Sequence, residues 1–197
     1  TNIIFFFVSI FIFIFSIGPD KETISVIGIG IIWTLLLLSS TLSLRKFYQD
    51  DFDNGNLLIM HLNGFSFGFI AILKTFSHFM FVQVPFLFSI PIASILLNIE
   101  NDKLIYLFAS FAIGSLILSC LGSISSSMNL MNQRNFLLGS VIVMIFSVPI
   151  IIFSVGIINM EENFNSLISV LFGILLIVFA INPWASGLCL KLSLENS

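Results

Sequence analysis

Between Thr23 and Leu44 the chain runs for 22 residues without a charge and then meets Arg45. A helix needs about 20 apolar residues to cross a hydrocarbon core roughly 30 Å thick, and such runs recur along the sequence. Ile3 to Gly18 is uncharged up to Pro19, and Leu104–Ser127, Phe136–Ile158 and Ser166 to about Cys189 repeat the pattern. A spanning β-barrel would need apolar and polar residues in alternation, which Ile3–Phe15 lacks. The chain is therefore expected to be all-α and polytopic, a bundle of transmembrane helices forming a single membrane domain over residues 1–197. Only 9% of its residues are charged, against about 25% in soluble domains, so a soluble core is excluded.

The number of spans turns on Asn54–Ile99, where Lys74 is the single charge and one span or two would fit. Lys and Arg gather in cytoplasmic loops, whereas acidic residues matter little. With one span at 69–97 and the N-terminus inside, Arg45, Lys46, Lys74, Arg134 and Lys191 face the cytoplasm, and Lys21 and Lys103 face out. A further span would put Arg134 and Lys191 across the membrane from Arg45 and Lys46. Five against two selects one span. The expected helices are 3–18, 23–44, 69–97, 104–127, 136–158 and 166–189, six in all, with both termini inside. Asp20, Glu22, Glu100, Asp102, Glu161 and Glu162 then fall outside. Ser123, Ser125, Ser126 and Ser127 polarise the end of the fourth span, as near a headgroup boundary. The chain opens at Thr1 without an initiator Met and enters the first span at once, so truncation at the N-terminus is expected. Gly18-Pro19-Asp20 after that span is no cleavage site, which argues against a signal peptide.

Arg45–Gly55 holds five of the chain's 17 charged residues and is the most polar stretch. Residues 45–68 read as a cytoplasmic coupling region that meets a soluble partner. Asp50, Asp51, Asp53 and Gly55 are its candidate residues, with Phe47, Tyr48 and Phe52 as aromatic anchors of the kind interfaces use. Gly55 suits a turn at positive φ. A calcium loop starting at Asp50 would place Phe52 third and His61 twelfth, where oxygen ligands are required; a solvated or docking loop fits better. Asn56–Gly68, broken by Gly64 and Gly68, reads as a short helix on the membrane surface.

Lys74 and His78 stand four apart on one helical face. Lys74 is placed to snorkel toward the headgroups, and His78, a turn deeper, is the candidate intramembrane functional residue. A lone imidazole also satisfies itself by hydrogen bonding within a bundle, and no metal site is assigned. His61 is taken as interfacial and without a role. Pro85 and Pro91 in the third span, Pro149 in the fifth and Pro183 in the sixth each remove a backbone donor, so kinks or interruptions are expected there. Cys120 and Cys189 lie in apolar runs and read as small packing residues. No Gly-x-x-x-x-Gly-Lys-Ser/Thr, His-Glu-x-x-His, Gly-x-Ser-x-Gly or Cys-x-x-Cys occurs, nor a basic patch for nucleic acid. No catalytic residues are assigned, and the chain itself has no P-loop to cradle ATP phosphates.

Several stretches carry a resemblance in order along the chain. They are Ser16-Ile17-Gly18-Pro19, Gly30-Ile31-Ile32-Trp33, Phe47-Tyr48-Gln49-Asp50-Asp51-Phe52-Asp53-Asn54-Gly55, Lys74-x-x-x-His78, Ser147-Val148-Pro149-Ile150-Ile151-Ile152-Phe153 and Asn182-Pro183-Trp184-Ala185. Together they resemble the cytochrome c maturation protein B family, also called haem exporter protein B. The family's Gly-x-Leu-Glu reads Gly55-Asn56-Leu57-Leu58 here, so no role resting on that glutamate carries over. The resemblance implies a six-span permease subunit of ABC-2 type acting in c-type cytochrome biogenesis. It implies pairing with a second copy, with soluble P-loop ATPase subunits and with a haem-handling membrane protein. Haem would be the substrate of the complex rather than a firmly bound cofactor; Trp33 and Trp184 are isolated and form no tryptophan-rich haem motif. The surroundings would be membrane lipid, in a bacterial inner membrane or alternatively a mitochondrial one. Two rivals stand beside this reading: an ABC exporter half for another substrate, and a non-transporting scaffold for the haem-handling partner. An ion channel would want acids inside a span, and the sequence places none there.

Overall fold

The computed structural model describes residues 2–18, 20–44, 46–131, 137–159 and 163–195. Expectations resting on Pro19, Arg45, Arg134, Phe136, Glu161 and Glu162 lie outside those residues. Among the described residues there is no strand, and long helices dominate: α1 (Asn2–Ile17), α2 (Lys21–Leu44), α7 (Leu104–Met131), α8 (Leu137–Asn159) and α9 (Phe164–Glu195). Between α2 and α7 come two short helices, α3 (Gln49–Asp53) and α4 (Asn56–Leu62), then α5 (Phe67–His78), a π-helical turn (Phe79–Gln83) and α6 (Val84–Leu96). Helices α2, α7, α8, α9 and the unbroken stretch Phe67–Leu96 are each long and apolar enough to cross a membrane; α1 is a shorter apolar helix. At 1.5 Å per residue α1 is about 24 Å long. The chain is an all-α, multi-pass membrane protein.

Contacts between the helices set their directions. Gly187 meets Gly68 and Asn182 bonds to Thr75, so α5 and α9 run antiparallel. Trp33 lies over Gly114 and Leu44 over Gly122, so α2 and α7 run parallel. Gly28 meets Leu97 and Ile99 beyond the end of α6, and Tyr106 packs edge-on against Phe164 at 5.1 Å. One end of the bundle therefore carries Asp20, Lys21, Glu100 and Lys103, and the other carries Lys46, Lys74 and Lys191.

Lipid supplies no hydrophobic force between helices, so close packing must come from small residues and polar contacts. A Cβ on Gly187 would lie 2.9 Å from the Gly68 nitrogen, and one on Gly122 would lie 2.7 Å from a Leu44 methyl. Gly68 therefore does not break a helix. It lies within the first turn of α5 and lets that helix reach α9.

The serines at the end of α7 have the same origin. Ser123, Ser125, Ser126 and Ser127 are all buried inside the bundle, toward the end that carries Lys46 and Lys74, where Ser123 meets Tyr48 of the loop. Cys120 is buried and Cys189 half-buried, both unpaired. The prolines do not interrupt their helices: Pro91, Pro149 and Pro183 lie inside α6, α8 and α9. Pro85 is the second residue of α6, directly after the π-helical turn within the unbroken stretch Phe67–Leu96.

Candidate functional site

The chain leaves α2 through a tight turn in which the Lys46 and Phe47 amides bond to the Ser43 and Leu44 carbonyls. That turn drives Phe47 and Tyr48 inward, where they are 7% and 0% exposed. Phe52 is half-buried against the same core. The three aromatics are thus tethers of the loop to the bundle and not anchors offered to a partner, which corrects the expectation from sequence. An aromatic ring flanked by two long apolar helices finds its lowest free energy inside the bundle, and the charges beside it stay in water.

After the turn, α3 coils Gln49–Asp53 into a single helical turn, with Asn54 bonding back to the Asp50 carbonyl. Asp50 and Asp53 are exposed; Asp53 accepts a bond from Gln49 at 2.9 Å. Asp51 behaves differently. It is half-buried, pairs with Lys74 of α5 and accepts from the Asn56 amide. Lys74 is therefore a strut between loop and span, where a snorkelling side chain was expected. Among the described residues no three His, Cys, Asp or Glu side chains gather around one point that could hold a metal.

Gly55 has φ +72° and starts α4, the conformation its position in the turn requires. A second left-handed glycine, Gly64 at φ +94°, ends α4, and Ser66 caps α5 by accepting from the Phe69 amide at 3.3 Å. On α4, Leu57 is buried while Leu58, Ile59 and Leu62 are exposed, an apolar outer face suited to a membrane surface. The His61 ring stacks on Phe67 at 4.1 Å, which braces the α4–α5 corner.

From Tyr48 a buried chain of hydroxyls and one amide crosses the bundle. The Tyr48 hydroxyl lies 2.7 Å from Ser123 of α7, and Ser123 lies 3.1 Å from Ser186 of α9. Ser186 donates to Asn182 Oδ1 at 2.9 Å, Asn182 donates to Thr75 of α5 at 2.9 Å, and Thr75 donates to the Ala71 carbonyl at 2.8 Å. Because Ser186 spends its proton on Asn182, it accepts from Ser123, and Ser123 in turn accepts from Tyr48. All five donors point the same way, an arrangement in which each bond polarises the next. The loop is thereby linked to α7, α9 and α5.

His78 belongs to a neighbouring cluster. It is buried, with Ser43 of α2 at 2.9 Å from Nε2, Ser119 of α7 at 3.1 Å from Nδ1, and the Phe47 ring at 4.7 Å. One level deeper, Gln83 of the π turn donates to Ser40 of α2 at 3.1 Å. Both nitrogens of His78 are thus occupied by serines, so within this chain it acts as a polar cross-link of α2, α5 and α7.

Sequence reasoning did not find Ser123, Ser186, Asn182 or Thr75 as partners of the loop, since their contacts bridge 63 to 107 residues. Asn182, an amide in the middle of an apolar run, was the available signal.

The chain matches known proteins along nearly its whole length. It is 28% identical to "Heme exporter protein B" of Haemophilus influenzae over 195 residues, covering 98% of this chain and 88% of that protein. It is 25% identical to the Bradyrhizobium diazoefficiens protein of the same name, covering 98% and 89%, and 27% identical to that of Paracoccus denitrificans, covering 92% and 84%. A family model described as CcmB protein matches residues 1–193, nearly the whole multi-pass bundle, and the chain belongs to that family.

Proposed function

We propose that this chain is the membrane permease subunit of an ABC-type haem exporter complex serving c-type cytochrome maturation, with a separate P-loop ATPase docking on α3–α4. Membership of the family and full-length similarity to proteins named heme exporter protein B support the haem reading. The observation that carries the docking surface is the division of labour in the loop. Asp50 and Asp53 face outward, while Phe47, Tyr48 and Asp51 fasten the same turn to the bundle. Force applied to α3 would pass through Tyr48 to α7 and α9, and through the Asp51–Lys74 pair to α5. Haem is the cargo of the complex, and no residue of this chain is assigned as its ligand. A second copy and a haem-handling membrane protein complete the assembly, in the inner membrane of a bacterium; the relatives compared above are bacterial.

The test is a pull-down of the full-length protein from mildly solubilised membranes, with co-purifying subunits identified by mass spectrometry. Asp50→Ala/Asp53→Ala should lose the ATPase and c-type cytochrome yield while leaving the amount of inserted protein unchanged. Gly55→Val, which forces a β-branched residue to φ +72° at about 1–2 kcal/mol, should insert and bind the ATPase but fail to stimulate it. Recovery of no ATPase with the parent protein would sink the ABC reading in favour of a scaffold, and normal cytochrome yield from the double variant would remove the docking surface from α3.

A further inference from the structure

Beside the site a cleft of about 540 Å³ opens between the start of α1, the end of α2 and the α5–π stretch. Ligand pockets occupy about 300–1,000 Å³, so the cleft is large enough for a molecule and not merely a packing flaw. Its rim at the charged end of the bundle carries Lys46 and Lys74, with Ser77 beside them. Its other wall carries Leu42 and Phe81, which are 50% and 81% exposed on the outside of their helices. In a membrane protein that exterior meets acyl chains, so the apolar wall continues into the lipid-facing surface. Lys46 is exposed and forms no ion pair among the described residues. Lys74 uses Asp51, yet an ammonium group has three donors.

We propose that this cleft binds the headgroup phosphate of an anionic phospholipid, with an acyl chain lying along Leu42 and Phe81. The unpaired Lys46, with the remaining donors of the Asp51-paired Lys74, above an apolar wall that opens sideways matches a negatively charged head on a hydrocarbon tail, and basic pockets between transmembrane helices take such headgroups. A zwitterionic headgroup brings its own cation toward Lys46 and is disfavoured, and a free phosphate leaves the apolar wall bare. The bound lipid would fill the space between α1 and α5 directly beneath the loop that the ATPase is proposed to press, and the site stands whatever the complex exports.

The experiment is native mass spectrometry of the full-length protein, delipidated in mild detergent and titrated with dioleoylphosphatidylglycerol, dioleoylphosphatidylcholine or inorganic phosphate. The parent should retain phosphatidylglycerol in preference to phosphatidylcholine and show no saturable phosphate adduct. Lys46→Gln should lower phosphatidylglycerol retention about fivefold. Ser77→Phe, which fills the cleft while keeping both lysines, should lower it at least as much, and Lys21→Gln at the opposite end should leave it unchanged. Equal retention by the parent, Lys46→Gln and Ser77→Phe would overturn the site. So would equal preference for the two lipids, a phosphate adduct as strong as the lipid's, or haemin displacing the lipid in a Lys46-dependent manner.

Discussion

Substituting Gly187 by Ala tests how the α5 arm is held. An ideal Cβ at Gly187 falls 2.9 Å from the Gly68 nitrogen, 3.2 Å from its Cα and 3.4 Å from the Phe67 carbonyl carbon. All three are backbone atoms, so no side chain can swing aside, and α5 and α9 must part by a few tenths of an ångström. Overpacking of this kind costs roughly 1–3 kcal/mol, a factor of five or more in the ratio of folded to unfolded protein. The internal control lies on the same helix. Gly173 has nothing within 4 Å of its would-be Cβ, so Gly173→Ala should be neutral or stabilising by up to about 1 kcal/mol through helix propensity. Equilibrium unfolding in mixed dodecylmaltoside and SDS micelles, followed by far-UV circular dichroism, measures both. Gly68→Ala meets the Pro183 carbonyl at 3.0 Å, so the Gly68→Ala/Gly187→Ala pair should cost less than the sum of its parts, since one parting of the helices accommodates both methyls. Equal stability of Gly187→Ala and Gly173→Ala, or strict additivity of the pair, would refute the close-packing account.

Two further outcomes follow from named bonds. Tyr48→Phe removes the first donor of the buried chain and leaves Ser123 a lone pair short of a partner, a loss of about 1 kcal/mol, whereas Ser186→Ala strands the Asn182 oxygen and should cost about 1–3 kcal/mol; thermal unfolding in detergent should rank them in that order and show them non-additive in combination. At the opposite end, the Thr23 hydroxyl bonded to Asp20 holds that carboxyl below its usual range. A carboxylate with a lowered folded-state pKa adds stability above its unfolded value and loses it as pH falls through the folded one, so the cap over the start of α2 should survive to pH values below 3.8; Thr23→Val should raise the Asp20 carboxyl-carbon titration midpoint, and an unmoved midpoint would dismiss the hydroxyl as the cause.

The apolar runs made the helical bundle legible because lipid leaves the backbone no alternative, and Gly55 was legible because a glycine after Asp53-Asn54 suits a turn that needs positive φ. Polar residues were harder to read where the chain reuses them for packing. Ser123, Ser125, Ser126 and Ser127 are all buried, because serine lets helices approach; Ser123 bonds to Tyr48 and Ser127 to the Ile124 carbonyl, while the buried Ser125 hydroxyl has no partner among the described residues. The loop was misread for a related reason. Charges interleaved with aromatics suggest an interface when read along one line, but the turn after α2 separates them in space, sending Tyr48 and Phe47 in and Asp50 and Asp53 out. A loop between two spans that must carry force needs both properties at once: a face that water and a partner can reach, and a root that cannot slip. Aromatic rings supply the root because they bury large apolar area with few rotatable bonds, and the Tyr48 hydroxyl adds the polar link that ties that root to α7. What sequence spacing could not supply is the identity of the residue at the far end of each bond. Asn182 had to find a partner somewhere in the bundle, and which one it found depended on α5 and α9 closing over Gly68 and Gly187.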